Sequence, residues 1–381
     1  MKVAIIGAGI SGLSVGCYLQ MNGFETEIYE KNLNPGGLCA TWKRGDFIFD
    51  GCLHWVMGTG SGSPFYGLWN ELIDMPSVGF VNHDVRMDVE LAVNSDRHGD
   101  KVFHLYTNID RLESYMLDIA PEDASLIKSL TGLMRIMQQY EMPPLLDNIP
   151  EFQPWHKKLA MIKYLPLVWQ YLKWKNETNL TFARKLSNPF LKEAFELLYD
   201  GDEQKLLILT MPLSVFDKKS AGYPLGGSMK FINHIATRYN SLGGRIHYNS
   251  SVRRIITNGP AVCGLVLENE KEVHADLVIS AADWHYTVFE ALEGRFVNRK
   301  ILELAKNTSP KVYPSVFMLL LGVNKTYKEQ PHLIKFPLEI PVLSPDGTEY
   351  RRMELHFYHY DPNLAPRDKT IVAASLYTNN G

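Results

Sequence analysis

The chain opens on a short unbroken apolar run in "KVAIIG", and the lack of polar alternation predicts a strand buried on both faces of a parallel sheet. A helical pattern follows and runs to "MNGFE", where Gly23 is positioned to stop it, and "TEIYE" then alternates as a second strand ending on Glu30. Further on, "MDVELAV" and "KVFHLYT" alternate as strands joined through the charged hairpin "NSDRHGDK". The region from Ala120 to Leu209 reads as mostly helical, and after residue 286 "SVFMLLLGV", "RRMELHFYHY" and "TIVAASLYT" read as strands of a sheet. No internal repeat or low-complexity tract interrupts this α/β pattern.

One stretch, 155–175, pairs an apolar stripe of Leu159, Ile162, Leu165, Val168, Trp169 and Leu172 with Lys157, Lys158, Lys163, Lys173 and Lys175. The spacing predicts a helical face kinked at Pro166. Such a face either packs on the body of the protein or lies on a lipid surface as a peripheral contact. The longest apolar run, Val316 to Val323, is far short of the roughly 18 residues of a spanning helix.

With 381 residues, 45% of them hydrophobic, the chain can bury a real core and suggests two domains or one with a large insertion. Its 39 Lys plus Arg against 42 Asp plus Glu give no electrostatic reason to expect nucleic acid as a partner. Cys17, Cys39, Cys52 and Cys263 form no C-x-x-C pair, so neither structural zinc nor another metal site is expected, and a reducing, cytoplasmic setting is. The glycine spacing explains the N-terminal apolar segment better than a secretion signal does, so the sequon at Asn176 carries no weight. No G-x-S-x-G or H-E-x-x-H motif points to hydrolysis.

Between the first strand and helix lies "GAGISG", with Gly7, Gly9 and Gly12 at G-x-G-x-x-G spacing. The first glycine permits the tight turn, the second lets backbone approach a pyrophosphate, and the third lets helix and strand pack closely. Backbone N–H groups at Ile10, Ser11 and Gly12 then face an anion at the positive end of a helix. Glu30, 18 positions after Gly12 and followed by Lys31, is placed to accept from the adenosine ribose hydroxyls. This unit predicts an adenine dinucleotide, and it fits a nicotinamide or a flavin equally. Gly36 and Gly37, lacking Cβ atoms, add a second place where backbone can pass close to a ligand or take positive φ; after Pro35 they also suit a plain turn.

From "EKNLNPGGLCATWKRGDFIFDGCLHW" onward the chain resembles the flavin-dependent amine oxidase and phytoene desaturase superfamily, in which a Gly-Gly pair bends back over the flavin pyrophosphate. Phe47, Phe49, Asp50, His54 and Trp55 match the family's strand toward the isoalloxazine. "AGYPLGGSMKFINHIATRYNSLGGRIHYNSSVRRI" matches a second signature through Tyr223, Pro224, Gly226, Gly227, Gly243 and Gly244, with Val252 lending its backbone to the adenine. "HADLVISAAD" fits the strand that closes the returning half of the nucleotide domain, and "YDPNLAPRDKT" a late loop. His54 and "DPNLAP" are similar to the carotenoid desaturase, carotenoid isomerase and retinol saturase branch. Leu38 stands where the wider family has an arginine, and Cys52 where the branch often has a glycine.

The resemblance implies a Rossmann-like FAD-binding domain of the glutathione reductase type, discontinuous over 1–85 and 217–285, and an α+β substrate domain with a mixed sheet over 86–216 and 286–381. It also implies FAD as cofactor with NAD(P)H as a candidate electron donor. The activity implied is desaturation, saturation or isomerisation of a hydrophobic polyene or isoprenoid, with His54 the candidate for proton transfer and Tyr223 and Trp55 lining the substrate tunnel. An amine oxidase and a non-catalytic nucleotide-binding protein are the alternatives. The family's closing glycine-rich flavin segment has no match before "YTNNG", so a further segment or a second chain is expected to complete the FAD site.

Overall fold

The computed structural model describes residues 1–92, 95, 99, 101–140, 164–198, 204–307, 315–343, 347 and 349–378. The chain runs through β1 (Lys2–Ile6), α1 (Ile10–Met21), β2 (Glu25–Tyr29), β3 (Thr41–Arg44), β4 (Phe47–Asp50), β5 (Val56–Met57), α2 (Pro64–Leu72), β6 (Phe80–Val81), β7 (Val85–Glu90) and β8 (Val102–Tyr106). Helices α3 (Ile109–Ile119), α4 (Ala124–Gln139), α5 (Leu165–Trp174), α6 (Asn179–Ala183), α7 (Pro189–Leu197) and α8 (Leu206–Asp217) follow. It returns through β9 (Ala221–Pro224), α9 (Gly227–Ser241), β10 (Arg245–His247), β11 (Val252–Asn258), β12 (Ala261–Leu267), β13 (Glu272–His274) and β14 (Leu277–Ser280). Last come α10 (Arg299–Asn307), β15 (Ser315–Val323), β16 (Leu333–Leu343), β17 (Glu349–Phe357) and β18 (Thr370–Thr378).

The unbroken apolar run of β1 has the predicted cause. Val3 and Ile5 enter the core beneath α1 and α9, whereas Ala4 and Ile6 enter the one beneath β11–β13, because successive strand residues face opposite sides. The sheet order is β10-β2-β1-β14, parallel at every pairing. Helix α1 lies tight against its neighbours because Gly16 has no side chain: a Cβ there would come within 2.7 Å of the Tyr239 ring. Gly244 closes on the hydroxyl end of that ring, where a Cβ would sit 2.2 Å from Cζ. Tyr239 is fully buried between them, and its hydroxyl shares a 2.8 Å hydrogen bond with Thr26 Oγ1.

The second half is a six-stranded sheet ordered β15-β18-β17-β16-β7-β8, antiparallel except where β16 runs beside β7. Phe103, Met116, Phe182, Phe190 and Phe195 pack it into one core with the helices. The β3–β4 hairpin reaches this half through Phe47 and Phe49, which pack with Ile371 and Ala373 of β18, and through the Ile48 N–H, which donates to the Leu364 carbonyl at 2.8 Å. A short sheet ordered β5-β9-β6 sets β9, buried at every residue, between segments from earlier in the chain.

Two local expectations change. The strand β16, "LIKFPLEIPVL", is absent from the sequence reading because Pro337 and Pro341 argue against a strand; the irregular register between Pro337 and Val342 absorbs them. Among the described residues Pro166 marks a helix start: α5 begins at Leu165, so the proline occupies the first turn, where its missing N–H has no intrahelical acceptor. Residues 155–163 lie outside the described residues.

The ring wedged between two glycines gives a stability prediction. Gly16→Val should lower unfolding free energy by about 1–3 kcal/mol through overpacking against Tyr239. Gly62→Ala, where a Cβ meets nothing within 4 Å, should stay within about 0.5 kcal/mol in the same denaturant titration.

Candidate functional site

Gly7, at φ +93°, turns the chain off β1 while its N–H donates to the Tyr29 carbonyl at 2.8 Å. Gly12 lets α1 close on that turn, since a Cβ there would stand 2.0 Å from the Gly7 carbonyl oxygen. No side chain caps α1 and no carboxylate lies in its first turn, so its leading N–H groups, at Ile10, Ser11 and Gly12, are left for an anion. A Cβ on Gly9 would meet only the Gly37 Cα, 4.0 Å away.

The second glycine pair lies across this turn. The Gly36 N–H donates to the Ala8 carbonyl at 2.8 Å, and Gly36 forms an isolated parallel bridge with Gly9. Both residues need positive φ, +124° at Gly36 and +59° at Gly37, and a Cβ on Gly37 would lie 3.3 Å from the Gly9 Cα. Glu30 completes the group. It is 4% exposed and accepts from the Ala8 N–H at 2.8 Å through Oε2 and from the Asn32 N–H at 2.9 Å through Oε1. A carboxylate accepts at about four lone-pair sites, so capacity remains for two hydroxyl donors. An uncapped helix, two stacked glycine turns and a carboxylate beside them fit a dinucleotide. Lys31 and Leu38 point to solvent, Leu38 at 93% exposure. Val252 is buried under β12, and its carbonyl accepts from the Tyr286 hydroxyl.

The other predicted residues gather elsewhere, around the start of α9. Gly226 and Gly227 have φ of +91° and +73°, and a Cβ on Gly227 would stand 2.6 Å from Asp50 Oδ2. The close approach at this glycine pair is therefore made by a carboxylate of the chain itself. Asp50 accepts from the Ser228 N–H and hydroxyl, each at 2.6 Å, and from the Cys52 N–H at 3.2 Å, while Asp361 accepts from the Gly226 N–H at 2.6 Å. Burial pushes the Asp50 carboxyl above its ordinary range and the neighbouring Asp361 charge adds to the rise, against the pull of the Ser228 and Cys52 bonds. Cys39 and Cys52, at the two ends of the β3–β4 hairpin, bring their sulfurs to 3.7 Å.

Beyond Asp50 lies a cluster drawn from five segments: His54, His83 with Arg86, Tyr223, His332, and His356 through Tyr360. His83 stacks on His332 at 3.7 Å between centroids, and His54 stacks on His356 at 5.3 Å. Arg86 Nη1 donates to the Tyr223 hydroxyl at 2.9 Å, which in turn lies 3.2 Å from His332 Nε2. Trp55 sits to one side with its ring edge-on to Phe216. His54, Tyr223, His332, His356, Phe357, Tyr358 and Tyr360 line an enclosed cavity of about 10 Å³, the room of one water. A separate cavity of about 670 Å³ is an open groove between α2 and α9 that includes none of the predicted residues, and its size alone gives it no chemistry. Among the described residues no cluster suits a metal ion.

Sequence reasoning found His54 and Tyr223 but missed Arg86, His83, His332 and His356. They lie in three segments, His83 with Arg86, His332, and His356, and no spacing in the sequence ties those segments together.

Burial and the Arg86 charge hold these rings neutral. His54 is lowered to about 4, chiefly by burial and then by Arg86. His83 is lowered to about 3 by burial, Arg86 and His359, and His356 to about 3 by burial, His54 and Arg86. Their ordinary value is 6.5, so below it the unfolded chain binds protons that the fold refuses, and stability falls with pH. Each such histidine contributes a slope of about 1.4 kcal/mol per pH unit, so the three together approach 4 kcal/mol per unit between pH 6 and 4. Near-UV circular dichroism should therefore show tertiary structure lost across that window. His83→Phe, which removes a ring whose Nε2 has no hydrogen-bond partner, should move the midpoint to lower pH; an unmoved midpoint would assign the acid transition to other groups.

Comparison with known proteins places this geometry. The model of the family described as flavin containing amine oxidoreductase matches residues 10–374. The chain is 23% identical to a lycopene-forming phytoene desaturase of Paracoccus over 86% of its length and 63% of the relative's. It is 24% identical to a zebrafish (Danio rerio) protein named inactive all-trans-retinol 13,14-reductase, over 86% of this chain and 55% of that one. It thus spans somewhat under two thirds of the length of these relatives. In fold it is similar to a solved Pyrococcus furiosus protein, at 18% identity and a TM-score of 0.63 over all of this chain and 81% of that one. With the two stacked glycine turns, Glu30 and a match across nearly its whole length, the chain belongs to the flavin containing amine oxidoreductase family.

Proposed function

We propose that the chain is an FAD-dependent oxidoreductase acting on carbon–carbon bonds of an apolar polyene or isoprenoid. The observation that carries the cofactor reading is the Gly36–Gly37 turn seated on the Gly7–Gly12 turn, a second backbone surface that a plain dinucleotide unit does not require. The names of the carotenoid- and retinol-directed relatives support the substrate class. So does the seam cavity, whose lining is neutral rings with Arg86 beside them and no carboxylate to hold a protonated amine.

When bound, the flavin supplies two-electron hydride chemistry at carbon. The chain's own residues do the rest. Glu30 accepts from the ribose hydroxyls, the uncapped start of α1 holds phosphate, and Asp50 and Asp361 fix the start of α9 and hence the strand that carries Tyr223. The packed rings of His54, His332, His356 and Tyr360 leave room for about one water, and so dry a surrounding strengthens the contacts of the Arg86 charge. NAD(P)H is proposed as the external electron donor and the cytoplasm as the setting. Among the described residues no helix is long and apolar enough to cross a membrane. The exposed stripe of Leu165, Val168, Trp169 and Leu172 on α5, followed by Lys173 and Lys175, is proposed as a peripheral lipid contact.

A second reading, nucleotide binding without catalysis, is favoured by the one-water size of the seam cavity. The two readings part on whether the FAD-loaded protein turns over a polyene. FAD titration should give a yellow protein, and Glu30→Ala should weaken its Kd by about 10- to 100-fold, the worth of hydrogen bonds to a charged group, with Leu38→Ala unchanged. Protein that stays colourless after reconstitution sinks the cofactor reading. In liposome flotation with anionic lipid, Trp169→Ser combined with Leu172→Ser should leave the protein in the aqueous fraction while the parent chain floats.

A further inference from the structure

We infer that Tyr223 is the proton-transfer residue of this site, held for that role by Arg86 and His332 as positioning residues; the inference rests on the flavin reading above. A guanidinium only donates, so at 2.9 Å from Arg86 Nη1 the Tyr223 oxygen is an acceptor. The phenol's own proton is then free to point at His332 Nε2, 3.2 Å away. That nitrogen also lies 3.5 Å from Arg86 Nη1, so it faces two donors and is unprotonated, which puts the ring's proton on Nδ1. The order Arg86 to Tyr223 to His332 is therefore fixed in one direction.

Arg86 makes this arrangement more than packing. Its partners among the described residues are Tyr223, His332 and the face of Phe216, with its guanidinium carbon 5.5 Å from that ring, and no carboxylate offsets its charge. The cation is thus aimed at the one oxygen on which a phenolate would form. Burial raises the Tyr223 hydroxyl and Arg86 pulls it back down. The other rings at the seam are held neutral, His54 and His356 by burial, and His332 is pinned by the Tyr223 contact. Glu354, the carboxylate beside His356 at 3.9 Å, does not line the cavity. Tyr223 lines it and is 4% exposed.

The step balances for saturation. A bound reduced flavin would supply hydride to one carbon of the double bond, and Tyr223 Oη gives its proton to the neighbouring carbon, so the π bond breaks as two C–H bonds form. The phenolate left against Arg86 regains a proton from water.

The test uses the full chain loaded with FAD and ¹⁵N-histidine labelling. Wild type should show His332, assigned by the loss of its signals in His332→Gln, as the Nδ1–H tautomer with a hydrogen-bonded Nε2, and Tyr223→Phe should shift that Nε2 resonance. With all-trans-retinol and phytoene as probes, Tyr223→Phe should keep its flavin absorbance and lose about 100-fold or more in kcat. Arg86→Met should lower kcat at unchanged KM, with partial recovery in Arg86→Lys. A His332 proton on Nε2 in wild type, or full turnover in Tyr223→Phe, overturns this proposal alone. Protein that takes up no FAD, or FAD-loaded wild type that turns over neither probe, overturns the flavin–polyene reading and this role with it.

Discussion

The start of α9 is the joint on which both halves depend. Its leading N–H groups meet two carboxylates, Asp50 from the end of the β3–β4 hairpin and Asp361 from the loop after β17. Anions at a helix N-terminus are stabilised by the macrodipole, and here each also satisfies a backbone donor at 2.6 Å. A Cβ on Gly227 would stand 2.6 Å from Asp50 Oδ2, so that approach needs a glycine there, and both Gly226 and Gly227 hold positive φ. The contact fixes β9, which enters α9 directly, and with it Tyr223 and the seam cavity. The Gly226–Gly227 pair is thus an internal clamp between the nucleotide half and the six-stranded sheet.

The seam joins two opposed demands. It concentrates polar rings in a place that excludes water, where an unpaired charge is expensive. The chain meets this by keeping every histidine of the cluster neutral and confining positive charge to Arg86, which spreads it over Tyr223, His332 and the Phe216 ring. Stacking of His83 on His332 and of His54 on His356 fills space without adding charge.

The glycine cradle was legible in the sequence because its information is local. Gly7, Gly9, Gly12 and Glu30 lie within one strand–helix–strand unit, and their spacing reflects one turn and one helix start. Gly36 and Gly37 left a turn and a ligand contact equally open until the Gly9 bridge showed them lying over the first turn. The seam was not legible, since Arg86 and Tyr223 are 137 residues apart, Tyr223 and His332 are 109, and only the pairing of the strands brings them together. Asp50 was placed on the right strand by resemblance, but its partner Ser228 lies 178 residues away and no pattern links them. Pro337 and Pro341 lie within β16, a strand their presence argues against, and Pro166 takes the first turn of α5.

The parallel pairing of β7 with β16 has a kinetic side. β7 aligns Asp88 with Ile334, and β1 aligns Val3 with Leu277, so each sheet takes a neighbouring strand from far downstream. Contacts of such long sequence separation must close large loops before they return any stability, which slows folding. During synthesis β1 and β2 wait with one flank open until β14 emerges, and β7 waits longer still. Exposed strand edges of that kind are where nascent chains pair wrongly. Such a chain gains from being shielded while it grows, and its yield in a heterologous host should be governed more by the order in which its strands arrive than by the strength of the finished fold.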